Sequence, residues 1–171
     1  SMQQDPNHIA QLQQRFAAVD TDRGGSIDVQ ELQRAFSAAG HVFPESTARR
    51  LLMMFDRDRT GTVGFDEFCQ MDNFISQVRN NFVAYDRDRS GSISRQELVA
   101  VLGACRLLCS EQTLNTMYQA YASPNQQISY ISFIALAADL AYNQTLFSWF
   151  DSDKDGKITY DQFLQMQAIS K

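Results

Sequence analysis

The sequence predicts an all-α chain of five helix–loop–helix units, eight helices in all. Three observations carry this. A twelve-residue loop, "DRDRTGTVGFDE" at residues 56–67, recurs with few changes as "DRDRSGSISRQE" at residues 86–97. Used as a template, it finds further copies starting at residues 20, 121 and 151. Apolar residues recur at helical spacing on either side of the loops.

Ahead of the first loop, Ile9, Leu12, Phe16 and Val19 share a helix face. Behind it Leu32, Ala35, Phe36 and Ala39 do the same, and Gly40 suits a helix end. Each loop is followed at once by an apolar residue: Leu32, Phe68, Leu98, Phe133 or Phe163. That residue is expected to start the trailing helix on its buried face. The loops begin 36, 30, 35 and 30 residues apart. Residues 32–55 and 98–120 hold a trailing helix, a link and a new leading helix. Residues 68–85 and 133–150 offer only 18 positions each, which suits one continuous helix of roughly 27 Å. The units therefore run 9–39, 45–77, 74–104, 111–142 and 140–170 within a single domain, 1–171, and two helices are shared. Eighth-place residues Ile27, Val63, Ile93, Ile128 and Ile158 are expected to bridge loop one to two and three to four. Loop five is then unpaired, and its helix shows Tyr160, Phe163, Leu164 and Ile169 to a second, two-fold-related chain.

Composition sets the outer limits. A chain of 171 residues with 44% hydrophobic content can bury one substantial core. A net charge of -5 gives no basic footprint for nucleic acid, and the acidity lies mostly inside the loops. Cys69, Cys105 and Cys109 are odd in number, with no signal peptide in view, so free buried thiols and a cytoplasmic location are expected. Cys105 and Cys109 would share a helix face if one helix ran over 95–109. Residues 131–150 are apolar but broken by Ser132, Asp139 and Asn143, so no transmembrane segment is expected. Ser1-Met2 reads as a cloning scar. No phosphate-cradling Gly-rich loop and no His-Glu-x-x-His motif occurs, His8 and His41 stand apart, and no enzyme activity is expected.

The loops point to calcium. Ca²⁺ takes six to eight oxygens at ~2.3–2.6 Å, and a curled dodecapeptide presents them from places one, three, five, seven (a backbone carbonyl), nine and twelve. Loop one offers Asp20, Asp22, Ser26, Asp28 and Glu31, with Gly24 leaving place five to water. Loop two offers Asp56, Asp58, Thr60, Thr62 and Glu67. Loop three offers Asp86, Asp88, Ser90, Ser92, Ser94 and Glu97, a complete set. Loop five offers Asp151, Asp153, Asp155, Lys157 and Thr159, but Gln162 stands where the bidentate Glu belongs, so weak calcium or Mg²⁺ is expected. Loop four has lost nearly every ligand, and its site is expected to hold no metal. Arg57, Arg59, Arg87 and Arg89, at second and fourth places, are expected to face solvent. Trp149 and Tyr85 are core candidates.

Five such hands with this rhythm, a degenerate fourth loop and two shared helices resemble the penta-EF-hand family over essentially the whole chain. The full first loop opening on Asp20 is similar to the peflin and apoptosis-linked gene 2 branch, more than to the calpain small subunit and sorcin branch. The resemblance implies a calcium sensor and adaptor that forms a homodimer or heterodimer through its fifth hand. It also implies Ca²⁺-dependent binding of protein or peptide partners, Pro-rich segments among them, peripheral membrane association and a Gly/Pro-rich arm before the first hand. Phe36, Phe43, Leu51, Leu52, Met53, Met54, Phe55, Phe68, Met71, Phe74 and Ile75 are groove candidates, with a permanent place in the core expected of each Phe. A calcium buffer and a calpain-like regulatory subunit of a protease are the alternatives.

Overall fold

The computed structural model describes residues 6–38, 44–107 and 109–169. Ala39, Gly40, His41, Phe43 and the Ser1-Met2 pair lie outside them. Eight helices alternate with the loops: α1 (Pro6–Val19), α2 (Val29–Ala38), α3 (Glu45–Phe55), α4 (Phe65–Tyr85), α5 (Arg95–Ala104), α6 (Glu111–Tyr121), α7 (Tyr130–Phe150) and α8 (Tyr160–Ile169). The 21-residue helices α4 and α7 are the shared ones, each trailing one loop and leading the next.

Two short pairings tie the loops together. Ile27 and Val63 exchange both backbone hydrogen bonds at 2.9 Å. Two-residue strands β1 (Ser92–Ile93) and β2 (Ile128–Ser129) run antiparallel, with Ile93 opposite Ile128. All four eighth-place side chains are fully buried. Ile158 in loop five joins no bridge among the described residues and is only half-buried.

The main core gathers around α7. Residues 133–139 are buried on every side of that helix, and α3, α4 and α6 pack against it. Phe82 meets Phe133 and Tyr130, and Phe16 meets Phe65 and Phe68 edge-on. Asp139 is the charged exception in this run. Arg50 from α3 and the hydroxyl of Tyr121 from α6 both hydrogen-bond it. Burial raises its carboxyl above the ordinary range, with Arg50 opposing. Hand five has a smaller core of its own, Tyr142, Leu146 and Met166, flanked by Met53, Phe150 and Ile158.

Several sequence expectations need correcting. Leu32, Phe68, Leu98 and Phe133 do start buried faces, but Phe163 is 42% exposed because no partner hand covers α8. Trp149 is not core: it is 60% exposed, whereas Tyr85 is half-buried as expected of a core-edge ring. The 95–109 segment is not one helix. α5 ends at Ala104, and Arg106 turns left-handed at φ 57. The N–H of Arg106 bonds the Gly103 carbonyl and that of Leu107 the Leu102 carbonyl, closing the helix and seating Leu107 beside Leu102. Cys105 and Cys109 therefore share no helix face. All three thiols are partly buried, and burial raises each of them.

Ile128 belongs to a loop with almost no ligands yet has no exposure and pairs with Ile93. Ile128→Ala is expected to cost about 2–5 kcal/mol in urea unfolding, as a cavity in a core site does. A loss below about 1 kcal/mol would show that the fourth loop is not structural.

Candidate metal centre

One hydrogen-bond plan recurs in loops one, two, three and five. The first-place aspartate accepts two backbone N–H groups, one on each oxygen. Asp20 takes Gly24 and Gly25, both at 2.9 Å; Asp56 takes Thr60 at 3.0 Å and Gly61 at 2.9 Å. Asp86 takes Ser90 and Gly91, and Asp151 takes Asp155 and Gly156. The third-place aspartates Asp22, Asp58, Asp88 and Asp153 share the fifth-place N–H. This curl needs a left-handed residue twice. The sixth-place glycines Gly25, Gly61, Gly91 and Gly156 lie at φ 75–81. The fourth place is also left-handed, at Arg23, Arg59, Arg89 and Lys154, φ 56–60. Sequence reading missed that second turn, since Arg carries no signal for it. Loop four has Pro124 in fourth place, and a proline ring holds φ near -65°. That loop closes differently, with Ser123 and Gln127 bonded to each other and Tyr118 reaching the Gln126 carbonyl.

The ninth place has a role that sequence reading assigned only to the metal. It caps the trailing helix. Asp28 Oδ1 accepts the Glu31 N–H at 2.8 Å, and Ser94 Oγ accepts that of Glu97. The twelfth-place side chain returns the bond to the ninth-place N–H: Glu31 to Asp28, Glu67 to Gly64, Glu97 to Ser94. The Ser94-x-x-Glu97 spacing is the capping-box signal that would have revealed this.

The other end of the twelfth-place side chain separates the loops. Glu31 Oε1 accepts the N–H of Thr21 at 2.8 Å and of Asp22 at 3.2 Å; Glu67 Oε1 accepts that of Arg57 at 2.8 Å. Gln162 cannot do this with its amide nitrogen. It donates instead to the Phe150 carbonyl at 2.7 Å, just ahead of loop five, while its oxygen caps Thr159.

The structure brings three carboxylates within 4.8 Å of one another in loop one (Asp20, Asp22, Glu31), loop two (Asp56, Asp58, Glu67) and loop five (Asp151, Asp153, Asp155). Loop three does not gather its three so tightly among the described residues; Glu97 Oε2 is held at 2.9 Å by both the N–H and the hydroxyl of Ser94. Ser90 Oγ lies 3.0 Å from the Ser92 carbonyl, and Thr60 Oγ1 3.3 Å from that of Thr62. Expected fifth- and seventh-place ligands thus stand together. Among the described residues, no loop carboxylate is paired with a basic side chain. Asp20 and Glu31 are 7% and 3% exposed and Asp22 is exposed, so like charges converge at the edge of the interior with no basic side chain paired to them among the described residues. Such a donor set fits a hard divalent ion. Burial pushes the Glu31 carboxyl up, but hydrogen bonds from Asp28, Asp22 and Thr21 outweigh it and leave the group below its ordinary value. Bonds from Ser94 lower Glu97 likewise.

Comparison with known proteins agrees with this geometry. Residues 9–71 and 75–168 match the family described as EF-hand domain pair. The chain is 34% identical to sorcin of Mus musculus over 157 residues, 88% of this chain and 78% of sorcin. The chain belongs to the penta-EF-hand family of calcium-binding proteins. Peflin of Xenopus laevis is another penta-EF-hand relative, 32% identical over 156 residues, 88% of this chain and 55% of peflin. A solved structure of a homolog of programmed cell death 6 protein from Leishmania major Friedlin matches with TM-score 0.68 and 29% identity, over 94% of this chain and 90% of that one. With sorcin at 34% and peflin at 32%, identity does not single out the peflin branch of the penta-EF-hand proteins.

Two outcomes follow. In chelator, Glu31 and Glu97 lend stability above their ordinary value of 4.5, and this is lost as pH falls through their lowered folded values. Glu31→Gln should flatten the acid limb of the melting temperature against pH; an unchanged slope would contradict the assignment. Gln162→Glu restores a carboxylate and removes the donor to Phe150. Calorimetry is expected to show one more calcium site than in the parent, and an equal count would show that Gln162 is not what weakens loop five.

Proposed function

We propose that the chain is a cytoplasmic calcium sensor and adaptor, without catalytic activity, that binds protein partners when its loops are loaded. The observation that carries this is the unbalanced charge of loop one, with Asp20, Asp22 and Glu31 within 4.8 Å and no basic side chain paired to them among the described residues. Asp20, Asp22 and Glu31 would hold a calcium ion there, which would supply the missing positive charge. The ligands proposed are those of the sequence reading: Asp20, Asp22, Ser26, Asp28 and Glu31; Asp56, Asp58, Thr60, Thr62 and Glu67; Asp86, Asp88, Ser90, Ser92, Ser94 and Glu97. Loop five, with Asp151, Asp153, Asp155 and Lys157, is proposed as a weak calcium or Mg²⁺ site.

Glu31, Glu67 and Glu97 stand on the first turns of α2, α4 and α5, so drawing them toward an ion tilts those helices. Half-buried Phe36, Met54, Phe74 and Ile75 border the core and are the surface such a tilt would uncover. Dimerisation is proposed through α8, where Tyr160, Phe163 and Leu164 are 74%, 42% and 47% exposed. The complete first loop supports placement in the peflin and apoptosis-linked gene 2 branch. Pro-rich partner segments and Ca²⁺-dependent membrane association are proposed from the family. No helix among the described residues is long and apolar enough to cross a bilayer.

The test is apolar exposure. Emission of a hydrophobic dye is expected to rise severalfold between chelator and micromolar calcium, and Glu97→Gln is expected to need more calcium for the same rise. A protein that binds calcium with no dye response would be a buffer.

A further inference from the structure

Loop two meets the end of α7 in a way that the calcium reading does not use. Trp149, the only tryptophan of the chain, is 60% exposed there. Two adjoining cavities of ≈ 430 and ≈ 600 Å³ share Met53, Asp56, Arg59 and Trp149 in their walls. Leu146 lines one and Arg57 the other. The floor is thus apolar, with an adaptable methionine beside an aromatic anchor, and the rim carries exposed guanidiniums from the loop itself. Arg59 holds the left-handed fourth place, φ 57.

The charge of this rim depends on the loop. Loop two, residues 56–67, has four carboxylates and two arginines, a net charge of -2. A divalent cation among Asp56, Asp58 and Glu67 brings it to zero, with exposed Asp66 and one remaining ligand charge balancing Arg57 and Arg59. The charged residues that line the two cavities are Arg49, Arg57, Arg59 and Asp56, so a cation held by Asp56 removes the acidic charge from the lining and favours an acidic ligand there. The rim sign is opposite to that of the whole chain, whose formal charge is -5, so a second copy is a poorer electrostatic match than an acidic segment.

We propose that this groove docks an acidic partner segment with apolar anchors, and does so only when loop two is loaded with calcium. The inference rests on the calcium-sensor reading and adds to it a surface, a partner chemistry and an electrostatic gate. The surface adjoins the exposed stripe of α8: Ile169 lines the ≈ 430 Å³ cavity, while Tyr160, Phe163 and Leu164 line neither cavity.

The test uses the full chain and a fluorescein-labelled peptide of alternating Glu and Leu, with a Lys-and-Leu peptide as control. Anisotropy reports binding, and the emission of Trp149, read with unlabelled peptide, reports where it binds. Calorimetry on the same samples establishes calcium loading. The Glu peptide is expected to bind in calcium, shift Trp149 emission to the blue and weaken at least tenfold in chelator. Arg57→Gln with Arg59→Asn, at saturating calcium, is expected to weaken it about fivefold to tenfold; Asn tolerates the left-handed fourth place, so the loop is kept. Equal binding of the Lys peptide, an unaltered affinity in the double variant, or a Trp149 shift that follows protein concentration without peptide would each overturn the proposal. The last of these would assign the groove to a second copy. Absence of calcium heat in the parent would instead sink the sensor reading itself, and calcium heat with no peptide binding would sink the groove alone.

Discussion

In loops one and two a glutamate on the first turn of the trailing helix reaches back ten residues to an N–H at the start of its own loop. The remaining geometry of the hand depends on this closure. It binds the trailing helix to the end of the leading one, and it places a third carboxylate against two aspartates already facing inward. The backbone donors satisfy individual oxygens but carry only partial charge, so the mutual repulsion of three carboxylates is left standing. A loop of this kind is stable in outline and electrostatically incomplete. That combination makes a divalent ion a structural event for the helix, beyond the filling of a site.

How such an event travels follows from the shared helices. α4 begins at loop two and ends at loop three, and α7 begins at loop four and ends at loop five. A tilt at one end of a packed helix is imposed on the other. The buried Asp139 adds a cross-tie, since it joins α3, which leads into loop two, to Tyr121 at the first place of loop four. Asp139 is buried while Arg50 is 46% exposed, so losing these partners leaves a buried carboxyl without compensation, which is costly and holds the three elements together. The degenerate fourth loop thus has two uses that need no metal. Ile128 completes the β pair, and Tyr121 anchors the tie.

Much of the fold was legible because the repeat encodes it. The 30-residue spacings leave room for one helix only, and the eighth-place aliphatics mark the pairings. The ligand places were legible because oxygen chemistry restricts residue type. What escaped reading had no compositional cost. Arg is not selected for left-handed backbone, so the fourth-place turn at Arg23, Arg59 and Arg89 could not be inferred from it; only Pro124, which forbids it, gives a sign. The stop at Ala104 was hidden for the same reason, as Arg106 supplies a turn usually left to Gly. Trp149 looks like core by residue type, yet it stands exposed at the end of α7, beside a loop that joins no bridge among the described residues.

Hand five makes the contrast sharpest. Its aspartates are gathered as closely as those of loop one, yet Gln162 closes the loop with a neutral amide. An amide can give an N–H and accept one at once, so it holds both ends of the loop without adding charge. Closure there does not wait for a cation. Its small core of Tyr142, Leu146 and Met166 packs against Met53 and Met54, so hand five is joined to the helix that leads into loop two. The exposed stripe of α8 thus stands on a hand closed by a neutral amide, and the rim of loop two on one closed by a carboxylate.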